Sequence, residues 1–207
     1  MRLVAALKNP KVIQYTLELI FPMIGYFFFD WSLLIIIIFY LMDQFGSEAA
    51  AWFRLKFVIN IIPESGIGLL LISIVGFLIL FGFETYWLYD GFSNHFYDCQ
   101  AVFFWQELAE FGGEFLILLP LLFAMHYMKD RVEFYRSDLP FKYDPKHLVV
   151  YRLGLNFVVV LFVIFLSIIW IELKFNEIWL LVIIPMSKLI NDLIILPQLH
   201  QLVFRKN

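Results

Sequence analysis

Cysteine is almost absent from this chain. With Cys99 the only thiol in 207 residues, an internal disulfide and any CxxC metal or redox motif are excluded. Charge is also scarce: 16% of residues are Asp, Glu, Lys or Arg and the net charge is −3, which argues against nucleic acid as a partner. No HExxH run occurs, and no serine sits in a nucleophile motif. Tyr89-Asp90, Tyr97-Asp98 and Tyr143-Asp144 fall in expected loops, with no partner Asp in a glycine-rich transmembrane motif. There is no internal repeat, no low-complexity segment and no strict GxxxG pair to suggest a dimer face. Nothing here asks for an enzyme, and no cofactor is implied.

Apolar surface is what the chain has in excess. It is 62% hydrophobic and 20% aromatic, with a mean hydropathy of +0.83. A soluble domain of this size has too little interior to hide so much. Several runs of about 20 apolar residues can each cross about 30 Å of hydrocarbon. The reading is an all-α polytopic membrane protein, one membrane domain over residues 1–207. Six transmembrane helices are expected near residues 11–29, 31–56, 66–83, 107–128, 148–170 and 178–204.

Details of these spans follow from their punctuation. Arg2, Lys8 and Lys11 precede an apolar stretch as in a signal peptide, but Gln14, Glu18 and Pro22 and the lack of a small-residue cleavage site suggest that it is retained. Pro22 is expected to kink the first span, and Asp30 to cap the second. Ser65-Gly66-Ile67-Gly68 reads as a helix start, and the featureless third span as plain lipid contact. Residues 84–99 read as an aromatic loop at headgroup level, with His95 inside it. Residues 115–128 are too short to cross alone, so the fourth span must reach back and take in Glu114. Arg2, Lys8, Lys11, Arg54, Lys56, Lys129, Arg131, Arg136, Lys142, Lys146, Arg205 and Lys206 fall on one side of this arrangement, and Lys174 alone on the other. Both termini are therefore expected in the cytoplasm, N-in and C-in.

Polar residues inside the spans are the candidate site. At about 100° per residue, Asp43, Ser47, Ala50 and Arg54 form one stripe of the second helix. Gln44, Glu48 and Ala51 lie beside it, and Leu41, Phe45, Ala49 and Trp52 take the opposite face. A charge at mid-bilayer costs roughly 3 kcal/mol, so such residues face other helices or a wet cavity. Counting 1.5 Å per residue sets Glu18, Asp43, Gln44 and Lys188 near one level, with Lys188, Asn191 and Asp192 on one face of the sixth helix. The expected intramembrane site is Glu18, Asp43, Gln44, Glu48, Lys188, Asn191 and Asp192. Glu107, Glu110 and Glu114 line one face of the fourth helix as an outer acidic stripe. Arg54 and Arg152 are expected nearer the inner edge, with Asn156 also early in the fifth span. His126, His147 and His200 come out near the cytoplasmic edge; they are candidate zinc ligands without a motif, and no opposed histidine pair exists to hold haem.

The run Pro22-Met23-Ile24-Gly25, then Trp31, then Tyr40-Leu41-Met42-Asp43-Gln44 resembles an uncharacterised family of prokaryotic polytopic membrane proteins, a domain of unknown function. That family carries a Tyr-Trp-x-Glu-Asn run at this point. Leu41 departs from it, while Asp43 and Gln44 keep an acid followed by an amide. Lys188, Asp192 and a later histidine extend the similarity at the other end. The resemblance implies a multi-pass protein of a bacterial or archaeal cytoplasmic (inner) membrane, and supplies no activity. Two functions stay open. Acids outnumber bases at depth, which suits proton- or cation-linked movement of a small solute, with Asp43 titrating and Lys188 as counter-charge. The same residues as structural glue suit a non-catalytic accessory or assembly subunit, with the lipid bilayer and a membrane protein as partners. A membrane-embedded metal hydrolase using the inner histidines is a third reading.

Overall fold

The computed structural model describes residues 20–29, 31–61, 66–95, 101–130, 144–173 and 182–183. Among these there are five helices and no strand: α1 (residues 20–28), α2 (Leu33–Ile61), α3 (Gly66–His95), α4 (Ala101–Asp130) and α5 (Pro145–Leu173). The chain forms two units, one of residues 1–40 with 175–207 and one of residues 41–174. Three helices are long and apolar enough to cross a membrane, over Leu33–Asn60, Gly66–Asp90 and Pro145–Leu166. In α4 the apolar part is Ile117–Met128. The expected first span is described only over residues 20–29, and the sixth only at residues 182–183.

Local chemistry explains the helix starts. Ser32 caps α2: its Oγ accepts the Ile35 N–H at 3.3 Å, and Asp30, the expected cap, lies outside the described residues. Before it, the chain turns back on Gly25, whose carbonyl accepts the N–H groups of Phe29 at 3.0 Å and Trp31 at 3.1 Å. The Trp31 indole lies flat on Gly25, where any Cβ would collide with the ring. Phe21 then packs edge-on against Trp31 and at a tilt against Phe39, with ring centroids 5.5 and 5.6 Å apart. Asp144 caps α5, its Oδ1 accepting the Lys146 N–H at 2.9 Å, and Pro145 occupies the first helical position, where no donor is needed. Gly66 opens α3 at a φ of 64°, a conformation that favours glycine.

One boundary differs from the sequence reading. Residues 84–95 are not loop, because α3 continues through them to His95. No proline interrupts this stretch, and the Thr85 hydroxyl is satisfied within the helix, donating to the Phe81 carbonyl at 2.9 Å. Loss of apolarity ended the expected span at Phe83; it does not end the helix.

In the unit of residues 41–174, α2 is the central element. Asp43, Glu48, Ala50, Ala51, Leu55 and Val58 of it are buried. Its faces divide among three neighbours. Phe45 and Trp52 meet Phe77 and Phe81 of α3 in a cluster of rings, edge-on except for the tilted Phe77–Phe81 pair, with centroids 5.3 to 6.0 Å apart. Ser47 and Glu48 face α5. Asp43, Gly46 and Phe53 face α4. Phe45 reaches Phe81 while Trp52 reaches Phe77, so α2 and α3 run antiparallel. Gln44 reaches Asn156 while Glu48 reaches Arg152, so α2 and α5 do too. The outer side of α3 is apolar and exposed, with Ile67, Leu71, Ile72, Val75, Leu78, Ile79 and Phe83 along it.

Candidate functional site

The polar residues of α2 do not point at lipid. Asp43 and Glu48 are each only 2% exposed, and every one of Asp43, Gln44, Ser47 and Glu48 has a side-chain partner on another helix.

Asp43 lies against α4. Its Oδ1 is 2.9 Å from Nε2 of His126, a hydrogen bond that becomes an ion pair when the imidazole is protonated. Gly46, one turn on, lets the helices touch: a Cβ there would lie 3.2 Å from the Phe123 nitrogen and 3.3 Å from the Leu122 carbonyl carbon. Backbone cannot yield as a side chain does, so this contact requires glycine. Asp43 to Phe53 covers about 15 Å of α2, yet among the described residues it meets positions 122–127 of α4 alone. That is the pattern of helices that cross, not of helices lying side by side.

Glu48 lies against α5. Arg152 Nη2 is 2.7 Å from Glu48 Oε1 and also donates to Ser47 Oγ at 3.1 Å. Asn156, one turn along α5, donates from Nδ2 to the same Glu48 oxygen at 2.9 Å. The Asn156 carbonyl in turn accepts Gln44 Nε2 at 3.3 Å, and Gln44 hydrogen-bonds the side chain of Glu84 on α3. The result is a continuous chain of polar contacts, Arg152–Glu48–Asn156–Gln44–Glu84, across three helices. Two of its buried atoms have no partner among the described residues: Arg152 Nε and Glu84 Oε2.

Of the expected site, the fold brings together Asp43, Gln44 and Glu48. Glu18, Lys188, Asn191 and Asp192 lie outside the described residues, as does His200. Positions 107, 110 and 114 fall on α4, with side chains outside the described residues. His147 is exposed, its Nδ1 3.6 Å from Asp144 at the start of α5. Among the described residues no group of three or more His, Cys, Asp or Glu is placed to hold a metal.

Three site residues have no role in the sequence reading, Glu84, Arg152 and Asn156, and a fourth, His126, is there a candidate zinc ligand and not a partner of Asp43. Arg152 and Asn156 had a visible signal, an i,i+4 polar pair on one face of an otherwise aliphatic helix. Glu84 was assigned to a loop that is helix. His126 was set at the membrane edge, whereas it meets a residue expected near the midplane. A count of 1.5 Å per residue along each helix carries no information on how α4 is inclined to α2.

Comparison of the chain with protein-family models, with curated proteins and with solved structures returned no match. The chemistry must therefore be argued from the site itself. Among the described residues it holds a carboxylate on an imidazole, a carboxylate on a guanidinium, and a third carboxyl reached by an amide.

Proposed function

We propose that the chain is a six-span inner-membrane protein of a bacterium or archaeon, with both termini in the cytoplasm, that moves a small solute together with protons. The orientation rests on the Lys and Arg distribution, and the source on the resemblance at Tyr40 to Gln44. One observation supports the activity more than any other: the 2.9 Å contact between the buried Asp43 carboxylate and the His126 imidazole, which joins two helices. Ionisable groups in membrane helices are costly, and in transporters they mark ion or proton paths. Imidazole is the side chain that most readily changes charge near neutral pH. A proton arriving at this contact converts a hydrogen bond between a carboxylate and a neutral imidazole into an ion pair, which strengthens the hold of α4 on α2 and gives a coupling step. Asp43 keeps its role as the proton-handling carboxylate, with His126 as its described partner.

The accessory-subunit reading has its own support in Glu48. Arg152 and Asn156 bind one Glu48 oxygen together, as expected of ionic glue that fixes which helices meet. Purified protein in liposomes holding a pH-sensitive dye separates the two. Amino acids, organic acids and amines are added one at a time across a pH gradient. Transport gives a lumenal pH response to at least one of them, which Asp43→Asn removes. An accessory subunit gives none.

A further inference from the structure

Glu84 and Glu48 belong to one chain of polar contacts but are compensated differently. Glu48 has a guanidinium at 2.7 Å and an amide at 2.9 Å. Glu84, 4% exposed, has the Gln44 amide on one oxygen. Its Oε2 is buried and has no partner among the described residues. Among the described residues, the groups facing it across the layer do not supply a positive charge. From α2 it meets neutral Gln44, with Glu48 one turn beyond; from α5 neutral Asn156 lies behind Gln44, and Arg152 is held by Glu48 and Ser47. The next titratable pair, Asp43 and His126, faces α4.

A buried carboxylate without a counter-charge costs more than a neutral acid with an unpaired hydroxyl. Something positive must therefore sit at Oε2. A sodium-sized ion needs several oxygen ligands, whereas a proton needs no shell at all. We propose that Glu84 is a proton-binding site, carried as the neutral acid and joined through Gln44 and Asn156 to the Glu48–Arg152 pair. This deepens the proton-linked reading and rests on it for the use made of the proton. When Glu84 ionises, its proton leaves to water, and Gln44 is left bridging two carboxylates through Asn156. The charge state of Glu84 thus reaches the ion pair that holds α5 on α2.

Infrared spectroscopy of the purified full chain in lipid nanodiscs tests this without any solute. The wild type near neutral pH shows a protonated-carboxyl C=O band that Glu84→Gln removes and Glu84→Asp displaces. The conservative aspartate keeps the test valid should the glutamine variant fail to fold. If the wild-type minus Glu84→Gln difference contains an ionised-carboxylate signal instead, the proposal is overturned. It is equally overturned if adding sodium at fixed pH replaces the C=O band by a carboxylate band. A band at Glu84 with no solute-linked flux removes the transport reading and keeps this one. Flux without the band does the reverse.

Discussion

Asp43 of the second helix and His126 of the fourth are 83 positions apart in sequence and 2.9 Å apart in space. Neither helix holds the other by apolar packing alone at this point, because Gly46 contributes no side chain and the contact depends on close approach. The two side chains should therefore be energetically coupled. Asp43→Asn and His126→Ala, singly and together, are expected to show an interaction energy of roughly 0.5–3 kcal/mol in unfolding measured in detergent. Strict additivity would mean that the contact carries nothing.

Arg152 neutralises Glu48 where both side chains are largely buried, at 12% and 3% exposure. Removing one member strands the other. Arg152→Ala should cost about 3–5 kcal/mol of stability, and the double variant Glu48→Ala with Arg152→Ala should recover part of it. Asn156→Ala, which removes one donor, should cost about 1–3 kcal/mol. Thermal unfolding of the purified protein ranks the three. An Arg152→Ala protein as stable as the wild type would contradict the pairing.

Glycines in this fold differ in what surrounds them. At Gly46 an added methyl meets α4 backbone, while at Gly82 nothing lies within 4 Å. Gly46→Ala should lower stability and loosen the Asp43–His126 contact. Gly82→Ala should be neutral or gain up to about 1 kcal/mol through helix propensity. Equal effects at the two positions would mean that α2 and α4 do not touch at Gly46.

Leu71, Ile72 and Ile79 are each more than half exposed on α3. If this helix crosses a bilayer, they face lipid. Single cysteines placed there in a Cys99→Ser background should resist a water-soluble maleimide in membranes and react once the protein is denatured. Rapid labelling in intact membranes would place that face in water.

Much of this architecture was legible in the sequence, for a physical reason. Runs such as residues 33–39 admit only a buried or lipid-facing helix; α4 and α5 each cover their expected span and run on at both ends, by two to six residues, while α2 starts two residues later than expected and ends five later. The polar face of α2 was legible too, since Asp43, Gln44 and Glu48 interrupt an apolar helix at helical spacing. What that face meets was not. Choosing His126 for Asp43 depends on a crossing of α2 and α4 that one glycine permits, and periodicity along a single helix carries no information about crossings. Glu84 was hidden because hydropathy ends a membrane span, whereas a helix ends only at a breaker or a cap.

The most direct test of the account is proton movement by the purified protein in liposomes, wild type against Asp43→Asn, with helicity and elution volume matched. The account predicts a solute-dependent lumenal pH change in the wild type that disappears in the variant. An unchanged response in Asp43→Asn would contradict it.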